Sequence, residues 1–340
     1  MKYLVIRFSS FGDCVLLCPL LASMAENAAD EISVVTKQSF AGLFRAVRGV
    51  KEVFCLENGS KPRDLYRLAA SLRPARYQVI DAHNTIRSRI FTRFLGARSI
   101  RFQKYYRARL ELILFKRQTP LPSMLQRYAY LAPTAGAVPT PQDRTVLEIT
   151  AEVDRSLPPE VPGSDRPFVA LAPGSRWPAK RWGTDRYRAL AHNINKRFGL
   201  RVLLLGDGHD REASGAVARA LGDGAVDLTG RTSIVQAAAC LARARALVTN
   251  DSGLMHLAEA VGTPVLGLFG PTVEAFGYYP SLPASKTCER RLSCRPCSRN
   301  GARACLMGTR ECLSGIDPAA VSEIFADLLT GTGPRRYVLP

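Results

Sequence analysis

The sequence predicts an α/β fold of two doubly wound parallel sheets facing each other across a cleft. Three observations carry this. Short apolar, β-branched runs alternate with amphipathic stretches of helical length. The alternation breaks at a Pro-rich stretch and then restarts. The chain's 340 residues also exceed what one hydrophobic core usually serves, so two domains are expected. Alternation of this kind implies parallel strands with helices on both faces.

In the first half, strands are expected at "YLVIRF" (3–8), "ISVVT" (32–36), "EVFCL" (52–56), "YQVIDA" (77–82) and "SIRF" (99–102). Helical patterns fill 14–27, 39–48, 62–73, 84–95 and 105–117. "APTAGAVPTPQD" (132–143) and "RSLPPEVPGSDRP" (155–167) bracket the short run "VLEIT" and read as an interdomain connection. The second half restarts with strands at 168–174, 201–207, 226–230, 246–251 and 264–270, and helices at 184–198, 209–221, 233–243 and 252–262. The expected domains are 1–155 and 156–316. A terminal helix and tail (317–340) follow, with "PAAVSEIFADLL" (318–329) placed to return to the first domain.

Apolar residues make up 46% and charged residues 22%, a globular balance that excludes wholesale disorder. No uninterrupted apolar stretch reaches the ~18 residues needed to span a bilayer. The opening "MKYLVIRFSSFGDCVLLCPLLASMAENA" imitates a secretory signal, but Arg7, Gly12 and Asp13 interrupt its apolar run. The expectation is therefore a mature, cytoplasmic N-terminus.

The net charge is +18, and residues 1–150 hold 23 basic against 11 acidic residues. The excess peaks at 87–117, where ten basic residues face only Glu111. Such a surface attracts polyanions: nucleic acid, anionic lipid, or phosphorylated and acidic sugars. A generically solvated basic face is the plainer reading.

Ligands of open parallel sheets bind beyond the carboxyl ends of the strands. Three segments hold that position. "SSFGDC" (9–14) sets Asp13 after the first strand, either as a helix cap or as a general base. "APGSRWPAKRWG" (172–183) offers Ser175 as a hydroxyl donor, with Arg176, Lys180 and Arg181 as cations suited to a phosphate. In "VTNDSGLMHLAEAVGTPVLGLFGPT" (248–272), Asp251 or Ser252 can cap a helix and Gly253 allows close approach. The first-turn amides there suit a pyrophosphate, and His256 can donate to a phosphate or a sugar hydroxyl. Together these describe a nucleotide diphosphate held by the second half and an acid supplied by the first. That combination suits group transfer to a hydroxyl.

"SSFGDCVLLCPLL", "APGSRWPAKRW" and "NDSGLMHLAEAVGTPVLGLFGPT" resemble, in order and spacing, the bacterial lipopolysaccharide heptosyltransferases, glycosyltransferase family 9. The resemblance implies two Rossmann-like domains of GT-B type and an inverting transfer of heptose from ADP-heptose to the lipopolysaccharide inner core. It implies no metal or other cofactor for catalysis. The place of action is the cytoplasmic face of the inner membrane, on an anionic lipid-borne acceptor, with peripheral membrane contact and no nucleic acid. Asp13 matches the base, and Lys180 the lysine on the donor phosphates, with Ser175 and Arg176 beside it. Asp251, Ser252, Gly253 and His256 match the loop that grips sugar and pyrophosphate, and Thr232 falls near the adenine. Gly183 stands where a proline is usual, and the acid facing the ribose is Asp207 or Asp210. A transferase or epimerase using another nucleotide sugar, or a non-catalytic polyanion-binding relative, are the alternatives.

Five cysteines crowd the C-terminal region. Cys294, Cys297, Cys305 and Cys312 have a spacing able to close a structural zinc site in a reducing compartment, with free thiols as the other reading.

Overall fold

The computed structural model describes residues 1–27, 29–116, 121–132, 145–163 and 165–340. The connection expected at 132–143 falls, from residue 133 on, outside these residues. The chain divides into two compact units. The first comprises Met1–Lys104 and Pro122–Ile149, the second Tyr105–Leu121 and Thr150–Pro340.

The first unit runs β1 (Lys2–Ile6), α1 (Phe11–Met24), β2 (Glu31–Lys37), α2 (Ala41–Arg45), β3 (Val50–Leu56), α3 (Pro62–Leu72), β4 (Gln78–Asp81), α4 (Ile86–Leu95) and β5 (Ser99–Arg101). Next come α5 (Tyr106–Phe115), which clusters with the second unit, and α6 (Met124–Ala129), which returns to the first. The five strands are parallel in the order β3-β2-β1-β4-β5, with Ile6 opposite Val35 on one side and Asp81 on the other. Leu4, Val5 and Ile6 are fully buried, as a central strand covered on both faces requires. Helix α1 is apolar almost all round because Cys14 to Leu21 are all buried, the pattern of an interior helix. The "VLEIT" run closes back here: Leu147 forms an antiparallel bridge with Val47, and the Glu148 N–H donates to the Ala46 carbonyl at 2.7 Å.

The second unit contains α7 (Ala151–Arg155), β6 (Phe168–Ala172), α8 (Thr184–Phe198), β7 (Arg201–Leu204), α9 (Arg211–Leu221), β8 (Ala225–Asp227), α10 (Ile234–Arg243), β9 (Leu247–Asn250), α11 (Gly253–Ala260) and β10 (Val265–Phe269). It ends with β11 (Lys286–Arg290), α12 (Glu311–Ser314), α13 (Pro318–Thr330) and β12 (Arg336–Leu339). Its seven strands are all parallel, in the order β12-β11-β10-β9-β6-β7-β8. Helix α8 shows how the sequence sets an element. Tyr187, Leu190, Ala191 and Ile194 form the buried stripe, and Gly199 ends the helix at φ 63°, where a side chain would be strained. Helix α13 starts on an Asp317 cap with Pro318 in its first turn and stops at Gly331. It packs on α8 and on β10 and β11 of its own unit. No helix among the described residues is long and apolar enough to cross a membrane.

Candidate functional site

In each sheet, strand order reverses beside the first strand: between β1 and β4 in the first unit, and between β6 and β9 in the second. Loops leaving the carboxyl ends of β1, β6 and β9 carry Asp13, Ser175, Arg176, Lys180, Asp251 and Ser252, while Asp207 and Asp210 follow β7 and Thr232 follows β8.

In the first unit, Asp13 is the third residue of α1, with Ser10 as the cap. Ser10 Oγ donates to Asp13 Oδ2 at 2.7 Å and the Ser10 N–H reaches the same oxygen at 3.5 Å, so Asp13 takes the N3 place of a capping box whose cap is Ser10. Arg7, at the end of β1, reaches the same oxygen at 2.7 Å. Its guanidinium also donates to the Ala82 carbonyl at 2.6 Å and lies over the Tyr128 ring. Arg7 is 5% exposed and Asp13 17%, so the cation lies beneath and the carboxylate faces outward. Beside them, buried Asp81 shapes the loop after β4, accepting from the His83 and Asn84 amides and from Ser88 Oγ. That loop sets His83 edge-on to Phe8. Burial, reinforced by Arg7 and Lys104, lowers the His83 pKa to about 3, so this imidazole is neutral at physiological pH.

In the second unit, the loops after β6 and β9 are stitched together. Asn250 donates through Nδ2 to the carbonyls of Pro173 and Gly174, and its Oδ1 accepts the Trp182 amide at 3.0 Å. Trp182 itself is buried and donates to the Ile316 carbonyl, which fixes the far end of the loop. Across this frame Lys180 Nζ meets Asp251 Oδ2 at 2.5 Å, and Thr272 Oγ1 donates to the same oxygen at 2.6 Å. Burial alone would push the Asp251 carboxyl up, but Lys180 and then Thr272 outweigh it, and the net shift is downward. The main chain presses close at two glycines. A Cβ at Gly174 would sit 2.0 Å from the Asp210 carboxyl carbon, and one at Gly301, with φ 81°, 2.7 Å from the Lys180 side chain. Burial and the neighbouring Asp207 raise the Asp210 pKa.

The geometry therefore gathers Ser175, Lys180, Asp251, Ser252, Gly253 and His256. Ser175 Oγ lies 3.5 Å from the Asp251 carbonyl, Ser252 Oγ 3.0 Å from Thr249 Oγ1, and buried His256 stands near enough to act electrostatically on Asp251. Arg176 is exposed, its guanidinium over the Trp177 ring at 5.1 Å. Thr232 precedes α10; among the described residues no hydrogen bond or ion pair joins it to the Lys180–Asp251 pair. Sequence reasoning passed over Asn250, Thr272 and His83, and did not use Arg7 as a partner. Arg7 had a signal, because a charge inside a buried strand needs a counter-charge. Asn250 and Thr272 are neutral and carried none.

A profile described as "Glycosyltransferase family 9 (heptosyltransferase)" matches residues 65–307, well over half the chain. The chain belongs to glycosyltransferase family 9. Among the relatives of this family 9 chain, the lipooligosaccharide heptosyltransferase 2 of Haemophilus influenzae is 31% identical over 224 residues. That match spans 61% of this chain and 64% of the relative, under two thirds of its length. The lipopolysaccharide heptosyltransferase 1 of Pseudomonas aeruginosa is 29% identical over 81% of this chain and 80% of its own. Among solved structures, E. coli ADP-heptose lipopolysaccharide heptosyltransferase II superposes with a TM-score of 0.75 at 27% identity, covering 97% of this chain and 99% of that one. The fold is thus the two-domain, parallel-sheet α/β architecture of heptosyltransferase structures.

Metal is a different matter. Among the described residues, no group of three or more His, Cys, Asp and Glu side chains is arranged to hold a metal ion, and all nine cysteines are free thiols. The zinc reading of Cys294, Cys297, Cys305 and Cys312 gains no support from this arrangement. Burial pushes the Cys312 thiol up to about 11. A pocket of about 540 Å³ in the second unit, bridged by the Glu160–Arg231 ion pair, includes none of the candidate residues in its lining.

Proposed function

We propose that this family 9 glycosyltransferase moves a heptose from ADP-heptose to a hydroxyl of the lipopolysaccharide inner core, with inversion and without a metal. Family membership together with the buried Lys180–Asp251 pair at the strand reversal of the second unit supports this reading. The second unit holds the donor: Lys180, Arg176 and Ser175 on the phosphates, the α11 amides behind Ser252 and Gly253 on the pyrophosphate, and Asp251 and His256 on the sugar. Thr232 belongs on the nucleotide side. Asp13 of the first unit is the general base.

In the transfer, the acceptor hydroxyl gives its proton to the Asp13 carboxylate as its oxygen bonds to the anomeric carbon. The bond from that carbon to the diphosphate breaks with its electron pair, and ADP leaves. Protein cations and helix-terminal amides meet the charge on the leaving group. The acceptor is an anionic, lipid-borne precursor. The protein meets it at the cytoplasmic face of the inner membrane through peripheral contact, for which the basic surface of residues 87–116 is suited.

Mass spectrometry of the full chain with a truncated lipopolysaccharide acceptor tests this. ADP-heptose should add one heptose and release ADP, whereas UDP-sugars should add nothing. Addition from a UDP-sugar with none from ADP-heptose would overturn the donor assignment.

A further inference from the structure

Where the chain leaves β1 and β4, the first unit sets an imidazole beside the Asp13 carboxylate. These two strands are neighbours at the strand reversal, with Ile6 opposite Asp81, so the chain leaves both at the same height. Phe8 follows the one and His83 the other, and their rings meet edge-on at 5.7 Å. Arg7 ties the two exits together. One of its guanidinium nitrogens reaches Asp13 Oδ2 at 2.7 Å, and another donates to the carbonyl of Ala82, the residue before His83, at 2.6 Å.

The backbone that carries His83 is fixed. Asp81 Oδ1 accepts the amides of His83 and Asn84 at 3.1 and 2.7 Å. Asn84 turns the chain at φ 47°, and its Nδ2 donates to the Phe102 carbonyl at 2.8 Å. The ring on this turn is less committed. It is half-buried, and its one side-chain hydrogen-bond contact among the described residues is Thr85 Oγ1, 3.5 Å from Nδ1. Its Nε2 has no hydrogen-bond partner among those residues. A polar atom held on rigid backbone beside the proposed base, with its bonding capacity unspent, is arranged to meet a substrate.

The charges around the ring decide what it can take. Arg7 from β1, Lys37 from the end of β2 and Lys104 after β5 act on it electrostatically, with Asp13 of α1 opposing them. Arg87 of α4 lies over the Phe8 ring that His83 touches. Burial and these cations keep the imidazole neutral, so it is a poor proton acceptor next to Asp13. A neutral imidazole offers one N–H and one lone pair, which suits a hydroxyl. The carboxylates and phosphates of an anionic acceptor suit the cations instead.

We propose that His83 hydrogen-bonds through Nε2 to a hydroxyl of the acceptor sugar next to the hydroxyl that reacts at Asp13, and so sets the acceptor's orientation. This rests on the transfer to a sugar hydroxyl proposed above and names a residue that selects the acceptor.

The test is steady-state transfer from ADP-heptose to the truncated lipopolysaccharide acceptor by the full chain and two variants. His83→Phe keeps a ring against Phe8 and removes the polar atom; His83→Gln supplies an amide in its place. His83→Phe should raise the acceptor KM on the order of ten-fold, with kcat, donor affinity and melting temperature nearly unchanged. His83→Gln should recover most of that loss. In wild type carrying isotope-labelled histidine, the acceptor should shift the His83 Nε2 resonance, and ADP alone should leave it in place. An unchanged acceptor KM in His83→Phe, or an Nε2 resonance that the acceptor does not move, overturns the His83 assignment while the transfer reading stands. A loss of melting temperature and donor affinity in His83→Phe that His83→Gln does not recover makes the role structural and also overturns it. A wild type that moves no heptose to the acceptor overturns the transfer reading and this assignment with it.

Discussion

Each sheet carries a cation–carboxylate pair just beyond its reversal point, and the two pairs are built the opposite way round. In the first unit the arginine lies beneath, held by Asp13 and the Ala82 carbonyl, and the carboxylate is the more exposed partner. In the second, Asp251 is fixed by Thr272 and is 9% exposed, and Lys180, on a flexible stem, is 12% exposed. The same electrostatic unit is thus anchored through its cation in one place and through its carboxylate in the other. An arginine fork held by two acceptors stays where it is, whereas a lysine can exchange one anion for another. The first pair suits a base that must be kept in position, and the second a cation that passes from Asp251 to a phosphate.

The comparison can be broken at either pair. The largest effect is expected from Asp13→Asn, which keeps the shape of the site and removes the proton acceptor. The rate should fall by about 10²–10⁴-fold with donor affinity unchanged, as steady-state ADP release and donor calorimetry would show. Lys180→Met comes next. It leaves the Asp251 charge buried without its partner, so chemical denaturation should show a loss of about 3–5 kcal/mol, and donor binding should weaken with it.

The pH dependence sharpens the same point. The folded Asp251 pKa is depressed, so this group contributes stability that is full above its unfolded value, roughly 3.9, and is lost as pH falls through the lower folded value. The advantage of wild type over Asp251→Asn in urea unfolding should therefore be flat above about pH 5 and shrink below about pH 4. The smallest effect is expected from Arg176→Ala. That guanidinium is exposed and stacked on Trp177, so the donor KM should rise only about two- to five-fold and the melting temperature should hold.

Where apolar pattern and burial agree, the fold was legible. Residues 184–198 read as a helix because their apolar stripe is the face that packs, and α8 spans the same residues. Strand β11 was invisible because "KTCER" buries charges by pairing them. Lys286 donates to three backbone carbonyls, and Glu289 is bonded by Arg295 and Arg336, so no hydrophobic pattern marks the strand. Helix α5 was found as an element, but its membership of the second unit depends on contacts such as Lys116 to Cys294, 178 residues away, which no local pattern records. The candidate site divides in the same way. Lys180, Asp251 and Ser252 stand where strands end, and their chemistry announces them. Asn250 works by joining two loops, and Thr272 by completing the shell of a buried acid; both roles exist only once the chain is folded. The cysteine spacing gave ligand types without the geometry that would gather them.

The division of labour between the two pairs is tested most directly by measuring donor affinity and single-turnover rate side by side for Asp13→Asn and Lys180→Met. Asp13→Asn should bind ADP-heptose as the wild type does and fail to turn it over, while Lys180→Met should lose binding first. If Asp13→Asn transferred heptose at a near wild-type rate, or if both variants lost donor affinity to the same degree, the account would be contradicted.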